Sequence, residues 1–121
     1  MISRGVYSAT CSILNDDFSL NVQATIDHAA DTINKGLHGA IFFGSTGQSQ
    51  LISNSEKKVL ISKIANHKLR KQFFLGTGCN SYRETLDLVK YGFEYGFKDF
   101  LIMPPAYYKG CLLYTSDAAD E

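Results

Sequence analysis

One unit repeats along this chain and constrains it more than any other feature. The unit is an apolar run, a glycine-bearing break, then an amphipathic segment with a helix cap at its start. Gly5-Val6-Tyr7-Ser8-Ala9-Thr10 is β-rich and reads as a first strand centred on Val6, with Asn15-Asp16-Asp17 as the turn behind it. Ser19 is placed to cap the helix that follows. Val22, Ile26, Ala29, Ala30 and Ile33 recur at helical spacing and line one face, and Gly36 stands where a helix-ending glycine belongs. The second unit opens with Gly39-Ala40-Ile41-Phe42-Phe43, an uninterrupted apolar run of the kind found in strands buried on both faces. Gly44-Ser45-Thr46-Gly47 breaks it, Ser53-Asn54-Ser55-Glu56 is a capping box, and Leu60, Ile61, Ile64 and Ala65 form the stripe behind it.

The third unit begins at Phe73-Phe74-Leu75-Gly76. Ser81-Tyr82-Arg83-Glu84 reads as a second capping box, Tyr82, Leu86, Val89 and Phe93 as the buried stripe, and Gly96 as the helix end. Asp99-Phe100-Leu101-Ile102-Met103 is a fourth strand running into Pro104-Pro105. The order is βαβαβαβ. Parallel strands need a crossover, and right-handed crossovers place successive helices on one face. An α/β chain of four parallel strands and three helices follows, with Val6, Ile41, Phe74 and Leu101 near the strand centres. Periodicity leaves two closures open, a doubly wound sheet and a barrel.

Charge and cysteine usage exclude several function classes. The formal net charge is zero and no Lys/Arg cluster is present, so neither nucleic acid nor an anionic membrane is an expected partner. Lys68, Arg70 and Lys71 read as a solvated helix end. Cys11, Cys79 and Cys111 are odd in number, far apart and without a CxxC, which fits a reducing cytoplasm better than a disulfide framework. His28, His38 and His67 have no metal-ligand spacing, so no metal site is expected. No apolar run is long enough to span a bilayer, and the first residues lack the apolar core of a signal peptide.

In either closure, ligands sit beyond the carboxyl ends of the strands. Thr10-Cys11, Gly44 to Ser49, Gly76 to Asn80, and Pro104 to Tyr108 are therefore the residues to inspect. Gly44 and Gly47 allow a sharp turn and close approach to a small ligand, and the Ser45 and Thr46 hydroxyls with nearby N–H groups can hold a carboxylate. The same four residues equally suit an ordinary strand-to-helix turn. Gly76-Thr77-Gly78 lacks the third glycine of a dinucleotide fingerprint, and no GK[ST] is present, so a tight turn is the better reading. Tyr107 and Tyr108 place two phenols at a strand mouth, where a tyrosine can relay protons or simply pack.

Taken together, these strand-end motifs resemble those of the dihydrodipicolinate synthase / N-acetylneuraminate lyase family of pyruvate-dependent class I aldolases. The resemblance runs from about Gly5 to Gly110. It rests on Gly44-Ser45-Thr46-Gly47, Gly76-Thr77-Gly78-Cys79-Asn80 and Pro105-Ala106-Tyr107-Tyr108-Lys109. It implies the N-terminal half of a (β/α)8 TIM barrel, a 2-oxo acid substrate such as pyruvate, no separate cofactor, and a homo-oligomeric whole protein, tetramer or dimer. A later-strand lysine forms an imine with the substrate ketone and so creates an electron sink. Gly44, Ser45, Thr46 and Gly47 match the positions that bind the substrate carboxylate. Ser45 also matches the hydroxyl that links a fifth-strand tyrosine to a second tyrosine from a neighbouring subunit, and that second tyrosine matches Tyr107.

The chain departs from the family in three ways. Gln48 stands where glutamate is usual. The fifth-strand tyrosine and sixth-strand lysine are absent, so the polypeptide as written is expected to be an inactive piece of a lyase or aldolase. Residues 111–121 do not continue the pattern of the 1–110 barrel domain; they read as a non-native tail, one translated frame of a transposon-derived sequencing adapter. A half barrel should also leave part of its inner face uncovered, with Phe42, Phe74 and Leu101 among the residues concerned. The competing function is a non-catalytic phosphate- or nucleotide-binding α/β module, against which the missing glycine fingerprints count.

Overall fold

The computed structural model describes residues 3–104. Its elements are β1 (Tyr7–Ala9), α1 (Val22–Asn34), β2 (Gly39–Phe42), α2 (Asn54–Ile64), β3 (Phe73–Gly76), α3 (Tyr82–Glu94) and β4 (Phe100–Leu101), with short 3-10 turns at Ser49–Leu51 and Arg70–Gln72. The four strands form one sheet in the order β1-β2-β3-β4, and each neighbouring pair is parallel. Ile41 lies beside Phe74, and Gly76 beside Leu101, so these residues share one face of the sheet. Phe42, Leu75 and Phe100 share the other.

The helix-covered face is the core. Ala40, Phe42, Phe73 and Leu75 from the strands meet Ile26, Ala29, Ile33, Leu60, Ile61, Ile64 and Leu88 from the helices. Phe42 and Phe73 pack edge-to-face, with ring centroids 5.2 Å apart. Burial of each such side chain contributes about 1.5–3 kcal/mol. Phe42 therefore faces the helices, not the inner face as expected. It is Phe74, half-buried, and Leu101, at 46% exposure, that lie on the uncovered side. The side-chain period of two assigns Phe42 opposite to Phe74 once Ile41 and Phe74 are in register.

The first two helices follow their sequence signals closely. In α1, Ile26, Ala29 and Ile33 are buried, and Val22 and Ala30 pack against the same cluster. Its cap is Asn21, whose Oδ1 accepts from the Ala24 N–H at 3.0 Å. Ser19 instead donates to Asp17, in a turn closed by an antiparallel bridge between Leu14 and Leu20. Gly36 adopts φ of 117°, the left-handed region that favours glycine after a helix end. In α2, Ser53 and Glu56 form the reciprocal capping box, and Leu60, Ile61, Ile64 and Ala65 are buried.

The third helix departs from its signal. Ser81 caps it by accepting from the Glu84 N–H, but no reciprocal bond from Glu84 completes a box. Its buried residues are Leu88 and Gly92, whereas Tyr82, Leu86 and Phe93 are 54%, 60% and 62% exposed. Gly92 explains the rotation. A methyl group there would sit 2.9 Å from Phe100 and 3.1 Å from Leu75, so the helix backbone rests directly on the sheet. The apolar stripe is real but points away from this core.

The strand ends are also shorter than the apolar runs. Val6 precedes β1 and is 61% exposed, its N–H donating to His38 Nδ1 at 2.9 Å. β4 covers only two residues of the expected five, Phe100 and Leu101, and pairs with β3 alone among the described residues. Arg70 is more than a solvated charge: its guanidinium donates to the carbonyls of Ala65 and Tyr95 at 2.9 and 2.5 Å and lies over the Phe97 ring, joining the ends of α2 and α3.

Candidate active site

The carboxyl ends of the strands converge on the loop that follows β2. The chain must reverse there, and the strain falls on Phe43, a non-glycine residue at φ of 60°. Such a conformation costs on the order of 1–3 kcal/mol. Burial of the Phe43 ring, 1% exposed and packed beside Phe42, offsets it. Gln48, at φ of 53°, ends the loop in the same left-handed region. Gly47 is required by close approach: a methyl there would sit 2.8 Å from the Thr10 carbonyl oxygen, and its own carbonyl accepts from Ser12 Oγ at 2.6 Å. The loops after β1 and β2 are pinned together at this point.

Gly44 behaves differently from the expectation of a glycine-driven turn. It has no left-handed φ, and a methyl group there would meet only Leu101 Cδ2, at an ordinary 3.7 Å. Close packing instead demands Gly76 and Gly78. A side chain on the first would enter the Phe43 carbonyl, and on the second the Ser49 side chain, with Gly78 also at φ of 50°. Gly76-Thr77-Gly78 is thus both a turn and the surface against which the β2 loop lies.

Ser45 and Thr46 are exposed at the carboxyl end of β2, and their hydroxyls have no hydrogen-bond partner among the described residues. Ser45 lines a cleft of about 290 Å³ with Gln48, Ser49, Gln50, Leu51 and Met103, the last of these beyond β4. The structure therefore brings the ends of β2 and β4 together beside Ser45. Tyr107, like the 111–121 tail, lies outside the described residues.

Lys57 is the residue that sequence reading passed over. It is 1% exposed on α2, and its Nζ donates to the Thr77 carbonyl at 2.9 Å, lies 3.8 Å from Cys79 Sγ, and sits 5.8 Å from the centre of the Phe43 ring. Burial lowers the pKa of this ammonium, while Cys79 and Glu84 pull it back up. Its position in the helix was a usable signal, since Lys57 falls at helical spacing with Leu60, Ile61 and Ile64. Ser49 Oγ and Cys79 Sγ also donate to the Thr77 carbonyl, at 3.2 and 3.0 Å, so three donors tie the β2 and β3 loops to α2.

Among the described residues no lysine lies within a strand, no cluster of three potential metal ligands occurs, and no helix is long and apolar enough to cross a membrane.

Comparison with known proteins agrees with this arrangement. The 4-hydroxy-tetrahydrodipicolinate synthase of Legionella pneumophila is 31% identical over 126 aligned residues, which cover 100% of this chain and 43% of that protein. The N-acetylneuraminate lyase of Histophilus somni is 30% identical over 88% of this chain and 37% of its own length. Among solved structures, YagE, a prophage protein of the dihydrodipicolinic acid synthase family from E. coli K12 in complex with pyruvate, superposes with a TM-score of 0.79 at 25% identity. That match covers 99% of this chain and 42% of YagE. The chain thus spans about two fifths of the length of the relatives it matches. Their barrels share its four parallel strands and three helices at the N-terminal end. The Dihydrodipicolinate synthetase family matches residues 2–113, and with the order and register of the strands this makes the chain a member of that family, carrying the N-terminal half of its TIM barrel.

Proposed function

We propose that the chain is the substrate-carboxylate-binding half of a Schiff-base-forming lyase or aldolase acting on pyruvate or a related 2-oxo acid. The observation that carries this reading is the pair of exposed hydroxyls at the carboxyl end of β2, Ser45 and Thr46, which have no hydrogen-bond partner among the described residues. With the N–H groups of the turn they offer donors to a carboxylate without a fixed charge, and they stand where a parallel α/β barrel holds its ligands. The relatives bear the names of synthases, lyases and aldolases, which supports the same reaction class.

In this reading the ketone carbon of the substrate is attacked by a lysine amine supplied by a later strand. Water leaves, and the resulting iminium accepts the electron pair of the bond broken or made next to it. Ser45 holds one carboxylate oxygen and stands in the proton path; Thr46 holds the other. Tyr107, contributed across a subunit contact of a homo-oligomer, completes the path in the neighbouring site. Gln48 in place of glutamate removes one charge beside the pocket and keeps hydrogen-bonding capacity. No strand among the described residues carries a lysine, so in this reading later strands supply both the lysine and the fifth-strand tyrosine, and the 121-residue polypeptide alone forms no imine. A reducing cytoplasm suits the proposed enzyme.

The test is pyruvate trapping with borohydride in the complete reading frame from which the chain derives. Thr46→Val should raise the pyruvate concentration for half-maximal trapping by about tenfold, the equivalent of one hydrogen bond to a charged group. An unchanged concentration dependence in both Thr46→Val and Ser45→Ala would remove these hydroxyls from the substrate site.

A further inference from the structure

Lys57 and Cys79 form a pair that the proposed lyase chemistry does not use. Lys57, 1% exposed on α2, places Nζ 3.8 Å from Sγ of Cys79 in the loop after β3. The thiol is held in place by Asn54 Oδ1 at 3.2 Å and by the Thr77 carbonyl at 3.0 Å. The same carbonyl fixes Nζ at 2.9 Å, so one acceptor positions both nucleophiles against each other. Cys79 is half-buried and lines a cleft of about 550 Å³, which gives a small solute a route to the sulfur. Burial disfavours the charged form of Lys57 and so raises the share of neutral amine beside the sulfur. A thiol within reach of a solvent route is the usual target of mild oxidation, and a sulfenic acid condenses with an adjacent nitrogen.

We propose that Lys57 and Cys79 are a peroxide-responsive modification site that closes to a lysine–cysteine sulfenamide. In the first step the Cys79 sulfur attacks hydrogen peroxide. An S–O bond forms, the O–O bond breaks, the sulfur is oxidised by two electrons, and water leaves with the thiol proton. In the second step the Lys57 amine attacks the sulfenic sulfur. An S–N bond forms, the S–O bond breaks, and hydroxide departs as water with one amine proton. The sum is one thiol, one amine and one peroxide giving one sulfenamide and two waters. An external dithiol reverses it, regenerating thiol and amine while forming its own disulfide. The cross-link fastens the loop after β3 to α2 and, through the Ser49–Thr77 contact, restrains the loop that carries Ser45 and Thr46.

The experiment uses the whole chain with Cys11→Ser and Cys111→Ser, so that Cys79 is its only thiol. Stoichiometric hydrogen peroxide is added, and intact mass and peptide mapping are read. The expected result is a mass loss of about two hydrogens, about 2 Da, reversed by dithiothreitol, with one peptide pair joined through Lys57 and Cys79. Cys79→Ser should show no change, and Lys57→Arg should stop at a sulfenic acid that dimedone traps. The unsubstituted Lys57 chain in denaturant supplies a control that requires no folding variant, and it should not form the link. Oxygen addition at Cys79 without a cross-link, an unreactive Cys79, or equal cross-linking in denaturant would each overturn the proposal.

Discussion

Glu56 joins two parts of the fold, and its removal should be measurable as a specific loss. Its carboxylate accepts from the Leu20 N–H at 2.5 Å, from Ser53 Oγ at 2.7 Å and from the Ser53 N–H at 3.4 Å. It thus closes the α2 capping box and anchors the segment ahead of α1. Leu20 is only 6% exposed, so Glu56→Ala leaves its N–H without a replacement acceptor. A hydrogen bond to a charged group is worth about 1.5–3 kcal/mol, and a helix cap about 1 kcal/mol. Glu56 is itself only half-buried, so the expected cost is about 2–3 kcal/mol, while Glu56→Gln should cost about 1 kcal/mol. In urea titration monitored by circular dichroism, the midpoint should fall by about 1 M at an unchanged slope. The pH dependence has a definite sign. The Leu20 N–H, and then the Ser53 hydroxyl, hold the Glu56 pKa below its ordinary value, against the opposing effects of desolvation and, last, the Asp17 charge. The folded state therefore binds this proton less readily than the unfolded one. The stabilisation is complete above the ordinary glutamate range near 4.5 and is lost as pH falls through the lower folded value. Wild-type stability for Glu56→Ala, or an unchanged acid limb in the variant, would refute this account of how α1 and α2 are joined.

Two further outcomes follow from packing. Gly76→Ala should unfold the loop or cost several kcal/mol, because its methyl would enter the Phe43 carbonyl, whereas Gly44→Ala, with 3.7 Å to its nearest neighbour, should leave the melting temperature nearly unchanged; thermal melts of the pair decide it. Leu86→Ser with Phe93→Ser, both on the exposed stripe of α3, should leave monomer stability within about 0.5 kcal/mol while reducing self-association in sedimentation velocity. A large loss of stability would show that the stripe is covered in the monomer.

Local signals and tertiary outcomes parted at identifiable residues. Parallel order, helix placement and the stripes of α1 and α2 were legible, because periodicity and caps such as Ser53–Glu56 act within a few residues of themselves. The facing of Phe42 was not, because an uninterrupted apolar strand carries no alternation; only the pairing of Ile41 with Phe74 assigns its side. In α3, the stripe through Tyr82, Leu86 and Phe93 is an amphipathic signal that stays exposed among the described residues, because the close approach of Gly92 to Phe100 and Leu75 turns the opposite face to the sheet. At the site, the position of Ser45 and Thr46 after a strand was readable from the run that precedes them. The packing roles of Gly76 and Gly78 were hidden, since they depend on Phe43 and Ser49, in a loop far earlier in the chain. Lys57 escaped notice because a buried lysine is rare, and only its spacing within the helix pointed inward.

The central claim is that these residues form the pyruvate-holding half of a Schiff-base enzyme and contain no lysine able to make the imine. Incubation of the 121-residue chain with pyruvate and borohydride, followed by intact-mass measurement, tests it directly. The account predicts an unmodified mass, and in parallel a single reduced pyruvyl adduct on the longer reading frame at a lysine beyond residue 121. A stoichiometric adduct on the short chain would contradict it, most informatively at Lys57, the buried amine with a lowered pKa.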